Sequence, residues 1–425
     1  MKLVIAEKPS VAMALASVLG ARTRKDGYVE GNGYIVSWCV GHLVGLCDAS
    51  EYDEKYKKWR YDDLPIVPEC WKHKVLEGTK KQFGILKKLM RDSKVDEVIC
   101  ATDAGREGEL IFRLVYEQAG CKKPMKRLWI SSMEEQAIKD GFASLKDGSC
   151  YDSLYQSALC RAKADWLVGI NASRLFSVLY NQNLKVGRVQ TPTLAMIVDR
   201  NQKIKEFTKE KYYMAHIKFD DMDAVTENFQ KKEDADKVAA ECQERMCEVE
   251  KDDVKEKTVR PPKLYDLTTL QREANRMFGY TAQQTLDAVQ EMYEQKLVTY
   301  PRTDSQYLTD EMGESTETLI QMLFGKMPYA EGLEYQPDVS KVLNSKKVSD
   351  HHAIIPTMEV AKADIGELKE RSRKILYLIS ARVLTATADP YIYESHKCQI
   401  TCNYHTFYLN AKKTKQEGFL SLIHI

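Results

Sequence analysis

The sequence predicts a multidomain chain, with an α/β domain first, mostly helical domains after it, and strand-rich segments between and beyond them. Three observations carry this. Short apolar runs alternate with helix-spaced apolar positions through about residue 150, the pattern of strands and helices sharing one sheet. Helical spacing then dominates from Tyr151 to about Phe207 and again from Leu264 to about Pro390. Period-two alternation marks Tyr212 to Phe219 and Tyr391 to Asn410, where Thr401, Tyr404 and Phe407 are residues that strands favour. At 425 residues the chain has room for two or more domains with cores of their own.

Taken in order, Lys2-Leu3-Val4-Ile5-Ala6 reads as a short buried strand, and Val11 to Leu19 as an alanine-rich helix that Pro9 opens. Glu7 and Lys8 then fall at the strand's carboxyl end. Val98 to Ala101 reads as a second buried strand, followed by a helix from Glu109 to Glu117 that spaces Leu110, Ile111, Leu114 and Val115 on one face. Asp103 lies at the carboxyl end of that strand, where open α/β sheets gather ligands. Glu107 comes four residues later, near the first helical turn, so both carboxylates can face one point. A capped helix start accounts for the pair equally well when it is taken alone. A strand followed by Glu, and a later strand followed by Asp-x-x-x-Glu, together describe a metal-dependent phosphoryl-transfer site. A few oxygen ligands beside a phosphate suit Mg²⁺, which keeps most of its waters.

From Tyr151 the helical run includes Leu154, Ala158, Arg161, Asp165 and Leu167. Asp220 to Glu256 is acidic and helix-like, and Arg260-Pro261-Pro262 marks a hinge. Leu297-Val298-Thr299 then leads into Tyr300-Pro301-Arg302-Thr303-Asp304-Ser305, as a short strand ending in a turn. A phenol with pKa ~10 is a poor nucleophile at neutral pH. Arg302 sets a permanent cation near the phenol or the phosphate it attacks, on a link that Pro301 stiffens. Alone, Tyr-Pro-Arg is an ordinary surface turn; the acidic site upstream gives it a second reading.

Composition limits the alternatives. The formal net charge is +1, so any nucleic-acid surface has to come from segregated charge. Lys80, Lys81, Lys87 and Lys88 cluster in one helix-like stretch, and Lys122, Lys123, Lys126 and Arg127 in another. Eleven cysteines, an odd number scattered from Cys39 to Cys402, do not form a disulfide framework, and a reduced cytosolic chain is the better reading. His396, Cys398, Cys402 and His405 lack paired ligand spacing and read as packing and surface positions rather than a zinc site. No apolar run reaches membrane-spanning length, no signal peptide begins the chain, and no Gly-x-x-x-x-Gly-Lys phosphate loop occurs. Gly31-Asn32-Gly33 is too short for a dinucleotide site.

The chain resembles a type IA DNA topoisomerase of the topoisomerase III branch. The motifs are Ile5-Ala6-Glu7-Lys8-Pro9-Ser10, Val40-Gly41-His42-Leu43, Asp103 to Glu109, Arg161 to Gly169, Gly187-Arg188-Val189-Gln190-Thr191-Pro192, Tyr300 to Asp304, and His351 to Pro356. They run in the family's order over essentially the whole chain. The resemblance implies a toroidal multidomain architecture: a Toprim domain over residues 1–150, the first part of a helical DNA-binding domain over 151–210, an arch or hinge segment over 211–260, a helical gate domain with the nucleophilic tyrosine over 261–390, and the start of returning arch strands over 391–425. By the same resemblance the architecture is incomplete, with the arch cut mid-sheet at an unpaired strand edge and the apolar tail Gly418 to Ile425 left over.

The implied reaction is Mg²⁺-dependent cleavage of one DNA strand through a 5′-phosphotyrosyl link, then strand passage and rejoining without ATP. Tyr300 would be the nucleophile, with Arg302 and Lys8 on the phosphoryl oxygens. Glu7 would be the proton donor to the leaving 3′-oxygen, and His351 a phosphate-polarising donor. Asp103 and Glu107 would hold the metal, with Glu7 as a third acidic group. Where the family has Asp-x-Asp-x-Glu, position 105 is glycine, so one carboxylate is missing. His42, Arg161, Asp165, Gly187, Arg188, Gln190 and Thr191 would form the DNA groove, although by themselves Arg161 and the Gly187 to Thr191 segment are helix-surface and turn residues. Implied partners are single-stranded and underwound duplex DNA, with a helicase as an open further one, in the cytoplasm at the nucleoid and with no membrane. A weak or idle single-strand-binding fragment and a Toprim nuclease or primase are the other two readings.

Overall fold

The computed structural model describes residues 1–330, 336–348 and 351–423. Its first layer is a seven-stranded sheet in the order Thr23–Lys25, Tyr28–Gly31, Tyr34–Trp38, Lys2–Ala6, Glu97–Ala101, Met125–Arg127, Lys146–Asp147. The four strands from Tyr34–Trp38 to Met125–Arg127 are parallel, so their carboxyl ends share one edge. Lys2–Ala6 is central, pairing Val4 with Val36 on one side and with Ile99 on the other. A parallel strand covered on both faces requires an unbroken apolar run, which is what Leu3 to Ala6 supplies. Side chains alternate between two cores. Leu3, Ile5 and Cys100 join the helices Lys80–Arg91 and Arg106–Ala119, whereas Val4, Ala6 and Ile99 join helix Pro9–Leu19 and the helical region beyond residue 260.

Helices Asp152–Tyr180 and Gln190–Lys205 follow the sheet, and Leu267–Phe278, Ala282–Glu294, Gly313–Lys326 and Glu370–Ala386 build the second helical region. Segments before and after the second helical region form an antiparallel five-stranded sheet in the order His216–Phe219, Met222–Val225, His405–Gln416, Tyr391–Cys402, Cys247–Val259. It has its own small core around Ala224, Val238, Ile400 and Phe407.

Five sequence expectations are corrected here. Leu297 to Thr299 forms an isolated bridge, Val298 to Pro356, rather than a strand. The acidic stretch is helical only over Lys232–Cys242; it also contains the strand Met222–Val225 and runs into the edge strand Cys247–Val259, whose charged, exposed residues blunt the edge. Lys122 to Arg127 is a turn leading into a strand, not a helix, and Arg127 is fully buried rather than part of a basic surface. The last strand is internal, paired along Tyr391–Cys402 and bridged to Met222–Val225 at Val225 and Tyr408, so it is not itself an edge of the sheet. In the tail, Phe419 and Leu422 are buried in the main core; His424 and Ile425 lie outside the described residues.

The cluster His396, Cys398, Cys402 and His405 is dispersed. The His396 ring nitrogen meets Asp252 at 3.0 Å and the His405 ring nitrogen meets Glu241 at 2.6 Å, while Cys402 is buried. Among the described residues, no helix is long and apolar enough to cross a membrane.

Candidate active site

The shared carboxyl edge of the parallel strands faces the second helical region across a cleft of about 470 Å³. Glu7 follows the first strand directly, and Asp103 sits two residues past the second. The backbone N–H of Asp103 donates to Glu7 Oε2 at 3.3 Å, which brings the two carboxylates together. Tyr300 enters from the opposite wall. Its N–H donates to the Ser131 carbonyl at 3.2 Å, and its phenol donates to Asp103 Oδ2 at 3.1 Å. Asp103 is therefore no helix cap; that place belongs to Gly105, in extended backbone.

The electrostatics follow from burial. Glu7 is 9% exposed, and burial, then the charge of Asp103, pushes its pKa up to about 7. Burial also raises Asp103, against the opposing effects of the phenol hydrogen bond, Lys8 and Arg302. Tyr300 is pushed far above the usual phenol range by burial and then by the neighbouring carboxylates, with Arg302 opposing. The phenol thus stays protonated in this closed arrangement, with its proton already directed at a carboxylate.

His351 packs against the Tyr300 ring at a tilt of 38°, with centroids 4.3 Å apart. One ring nitrogen meets Ser131 Oγ at 2.9 Å and the other meets the Ala104 carbonyl. Burial lowers its pKa to about 4, so the ring is neutral. Both ring nitrogens are engaged within the protein, and the ring lies against that of Tyr300. Lys8 is tied to Glu294 at 3.1 Å. Arg302 and Arg161 both line the cleft.

Glu107 lines the same cleft. Its Oε1 lies 3.0 Å from His42 Nε2, and this hydrogen bond is the main cause of its lowered pKa. Among the described residues no three acidic, histidine or cysteine side chains converge as a metal cluster. The adjoining carboxylates of buried Glu7 and half-buried Asp103 do fit a hard divalent cation, since each is raised by a desolvation that such a charge would offset.

Two comparisons decide the lineage. Residues 149–424 match the family model described as DNA topoisomerase, and residues 2–133 match the Toprim domain. The chain belongs to the type IA DNA topoisomerase family. Its relatives include proteins named DNA topoisomerase 3 from Staphylococcus haemolyticus (40% identical, covering 99% of this chain and 60% of the relative) and Shouchella clausii (44% identical, 95% and 57%). The chain thus spans a little under two thirds of the length of these curated relatives. A solved topoisomerase I from Thermotoga maritima shares the fold, with a TM-score of 0.73 at 24% identity over all of this chain and 67% of that one.

Among the remaining predicted residues of this type IA topoisomerase chain, Arg161 lines the cleft beside Tyr300. Arg188 pairs with Asp165 at 2.7 Å, and Arg161 approaches the same carboxylate at 3.8 Å. Gly187 precedes the helix Gln190–Lys205, which has no buried residue, and Gln190 and Thr191 are exposed at its start. Sequence reasoning missed Arg127 and Glu109. The fully buried Arg127 guanidinium donates to the carbonyls of Cys100, Thr102, Leu128 and Asp103. Its Nε lies 3.0 Å from Glu109 Oε2, a close ion pair rather than a straight hydrogen bond. This pair shapes the strand end that carries Asp103. The available signal was Glu109 itself, a charge on the apolar face of an amphipathic helix.

Proposed function

We propose that this chain cleaves and rejoins one strand of DNA by transesterification at Tyr300. The observation that carries the reading is the phenol hydrogen bond to Asp103, made beside a protonatable Glu7 and a cationic Arg302 in one cleft. The phenol proton passes to the Asp103 carboxylate as its oxygen attacks phosphorus. The new bond joins phosphorus to the tyrosyl oxygen, and the bond to the 3′-oxygen breaks. Glu7, with a pKa near 7, gives that oxygen its proton. Arg302 offsets charge on the phosphoryl oxygens, and His351 holds the tyrosine ring in place. Rejoining is the reverse, and the phosphoester is conserved throughout.

Asp103 and Glu107, with Glu7 beside Asp103, would hold Mg²⁺, whose part is to neutralise phosphate charge. Arg161, Arg188, Gln190 and Thr191 would follow the strand backbone, with His42 and Asp165 orienting their neighbours and Gly187 giving the turn. The division into segments 1–150, 151–210, 211–260, 261–390 and 391–425, with a cytoplasmic setting and single-stranded or underwound DNA as substrate, belongs to the same proposal. A Toprim nuclease would have no use for Tyr300, and an idle binding module would form no adduct.

Tyr300→Phe removes only the phenol oxygen. It should abolish the SDS-stable adduct with labelled single-stranded DNA while binding stays within about three-fold of the parent, because the groove's cations remain. An adduct of normal yield in that variant would sink the assignment.

A further inference from the structure

Lys8, next to the cleft-lining Glu7, and Glu294 belong to the two layers that enclose the cleft. Lys8 is the residue before helix Pro9–Leu19, on the sheet's carboxyl edge, and Glu294 is the last residue of helix Ala282–Glu294, six positions before the tyrosine. Their ion pair at 3.1 Å therefore bridges the α/β layer and the helical region. Glu294 Oε1 also accepts from Gln290 Nε2 at 3.0 Å, so the carboxylate is held from its own helix as well. The neighbouring Tyr293 packs edge-on against the Tyr300 ring, with centroids 5.4 Å apart. Both partners are about one-third exposed, at 35% and 29%, so solvent and ions reach the pair.

An ammonium is a compact point charge with three donors and can exchange one anion for another at little geometric cost. A DNA phosphate entering the cleft brings such an anion, and in the closed arrangement Glu294 already occupies the cation. We infer that Glu294 is a positioning residue. It keeps Lys8 on the cleft rim and competes with the incoming phosphate, so DNA entry exchanges a contact between the layers for one to the substrate. The loss of that contact links substrate binding to separation of the two walls, which the burial of Tyr300 makes necessary. The inference rests on the DNA-cleaving reading above.

A binding cycle tests it. The affinity for a fluorescent single-stranded oligonucleotide is measured by anisotropy in four 425-residue chains, all carrying Tyr300→Phe so that no cleavage intrudes. Glu294→Gln keeps the shape and should tighten binding about three-fold, the scale of a partly exposed ion pair. Lys8→Met should weaken binding, and in that background Glu294→Gln should change nothing. A gain of the same size with and without Lys8 would mean general repulsion of DNA and overturn the inference, as would no gain at all. Glu294→Asp, which keeps the charge on a shorter arm, should give a smaller gain and serves if the Gln variant folds poorly. Adduct formation by the chain with Tyr300 intact is assayed in parallel. Coupling without an adduct refutes the cleavage reading alone, an adduct without coupling refutes this inference alone, and absence of binding refutes both.

Discussion

Glu7 illustrates how burial changes a single carboxyl group. Its folded pKa of about 7 lies above the ordinary 4.5, so between these values the folded chain holds the proton more tightly than the unfolded chain. The stability this proton confers is complete below pH 4.5 and is lost as pH rises through 7. Glu7→Gln carries no charge to desolvate. It should therefore raise the unfolding free energy in urea at pH 8, by on the order of 1–3 kcal/mol, and leave it nearly unchanged at pH 4. Equal effects at both pH values would point to packing instead of charge. Gly105 offers the opposite experiment. A Cβ there meets no atom within 4 Å, and the backbone is extended, at the N-cap of helix Arg106–Ala119. Gly105→Asp should stabilise the fold by only about a few tenths of a kcal/mol, the difference between Asp and Gly at a helix N-cap. It should also lower the Mg²⁺ concentration needed for rejoining, by adding a hard oxygen ligand to the cleft. Superimposable Mg²⁺ titrations of parent and variant would show that position 105 has no part in metal binding.

At the scale of elements, the site depends on how closely the helix start approaches the strand end. A Cβ on Gly108 would fall 2.0 Å from the Asp103 carbonyl oxygen, and Thr102 Oγ1 donates to the Gly108 carbonyl at 2.8 Å. Gly108→Ala should cost about 1–3 kcal/mol by overpacking and lower adduct yield, because Asp103 moves with the displaced turn. Parent-like stability and yield would show that the helix start can shift freely. The main elements were legible where one physical signal dominates. Lys2–Ala6 and Glu97–Ala101 read as strands because burial on both faces demands continuous apolar runs, and the long helices read from their 3.6-residue spacing. Charge hid the rest. Cys247–Val259 carries acidic and basic residues on both faces of an edge strand and passed for helix. Arg127 passed for a surface cation among lysines because its partner Glu109 belongs to another element. Tyr300, Asp103 and Glu7 could be named as candidates from their motifs. Their mutual contacts, like the seating of His351 on Ser131, depend on chain packing that no local pattern encodes.

At the scale of the whole molecule, three separate cores set how the chain comes apart. The largest joins Val4, Ala6 and Ile99 of the parallel sheet to Tyr293, Tyr300 and Ile375 of the helical region, so the two cleft walls share apolar packing. The five-stranded sheet has a much smaller core of its own, around Phe407 and Ile400. Stability is distributed according to such buried contacts, and regions with few of them open without global unfolding. Strands Tyr391–Cys402 and Lys2–Ala6 are each hydrogen-bonded to neighbours on both sides, so a difference in their amide exchange reflects opening free energy rather than simple exposure. Hydrogen exchange followed by mass spectrometry should find Tyr391–Cys402 exchanging on the order of ten-fold faster or more than Lys2–Ala6 at the same pH, a gap of about 1.4 kcal/mol. A single common rate would mean that the molecule opens as one unit. A separate, weaker sheet can flex or rearrange while Glu7 and Asp103 keep their geometry on the central strands, whereas movement of Tyr300 has to part a shared core.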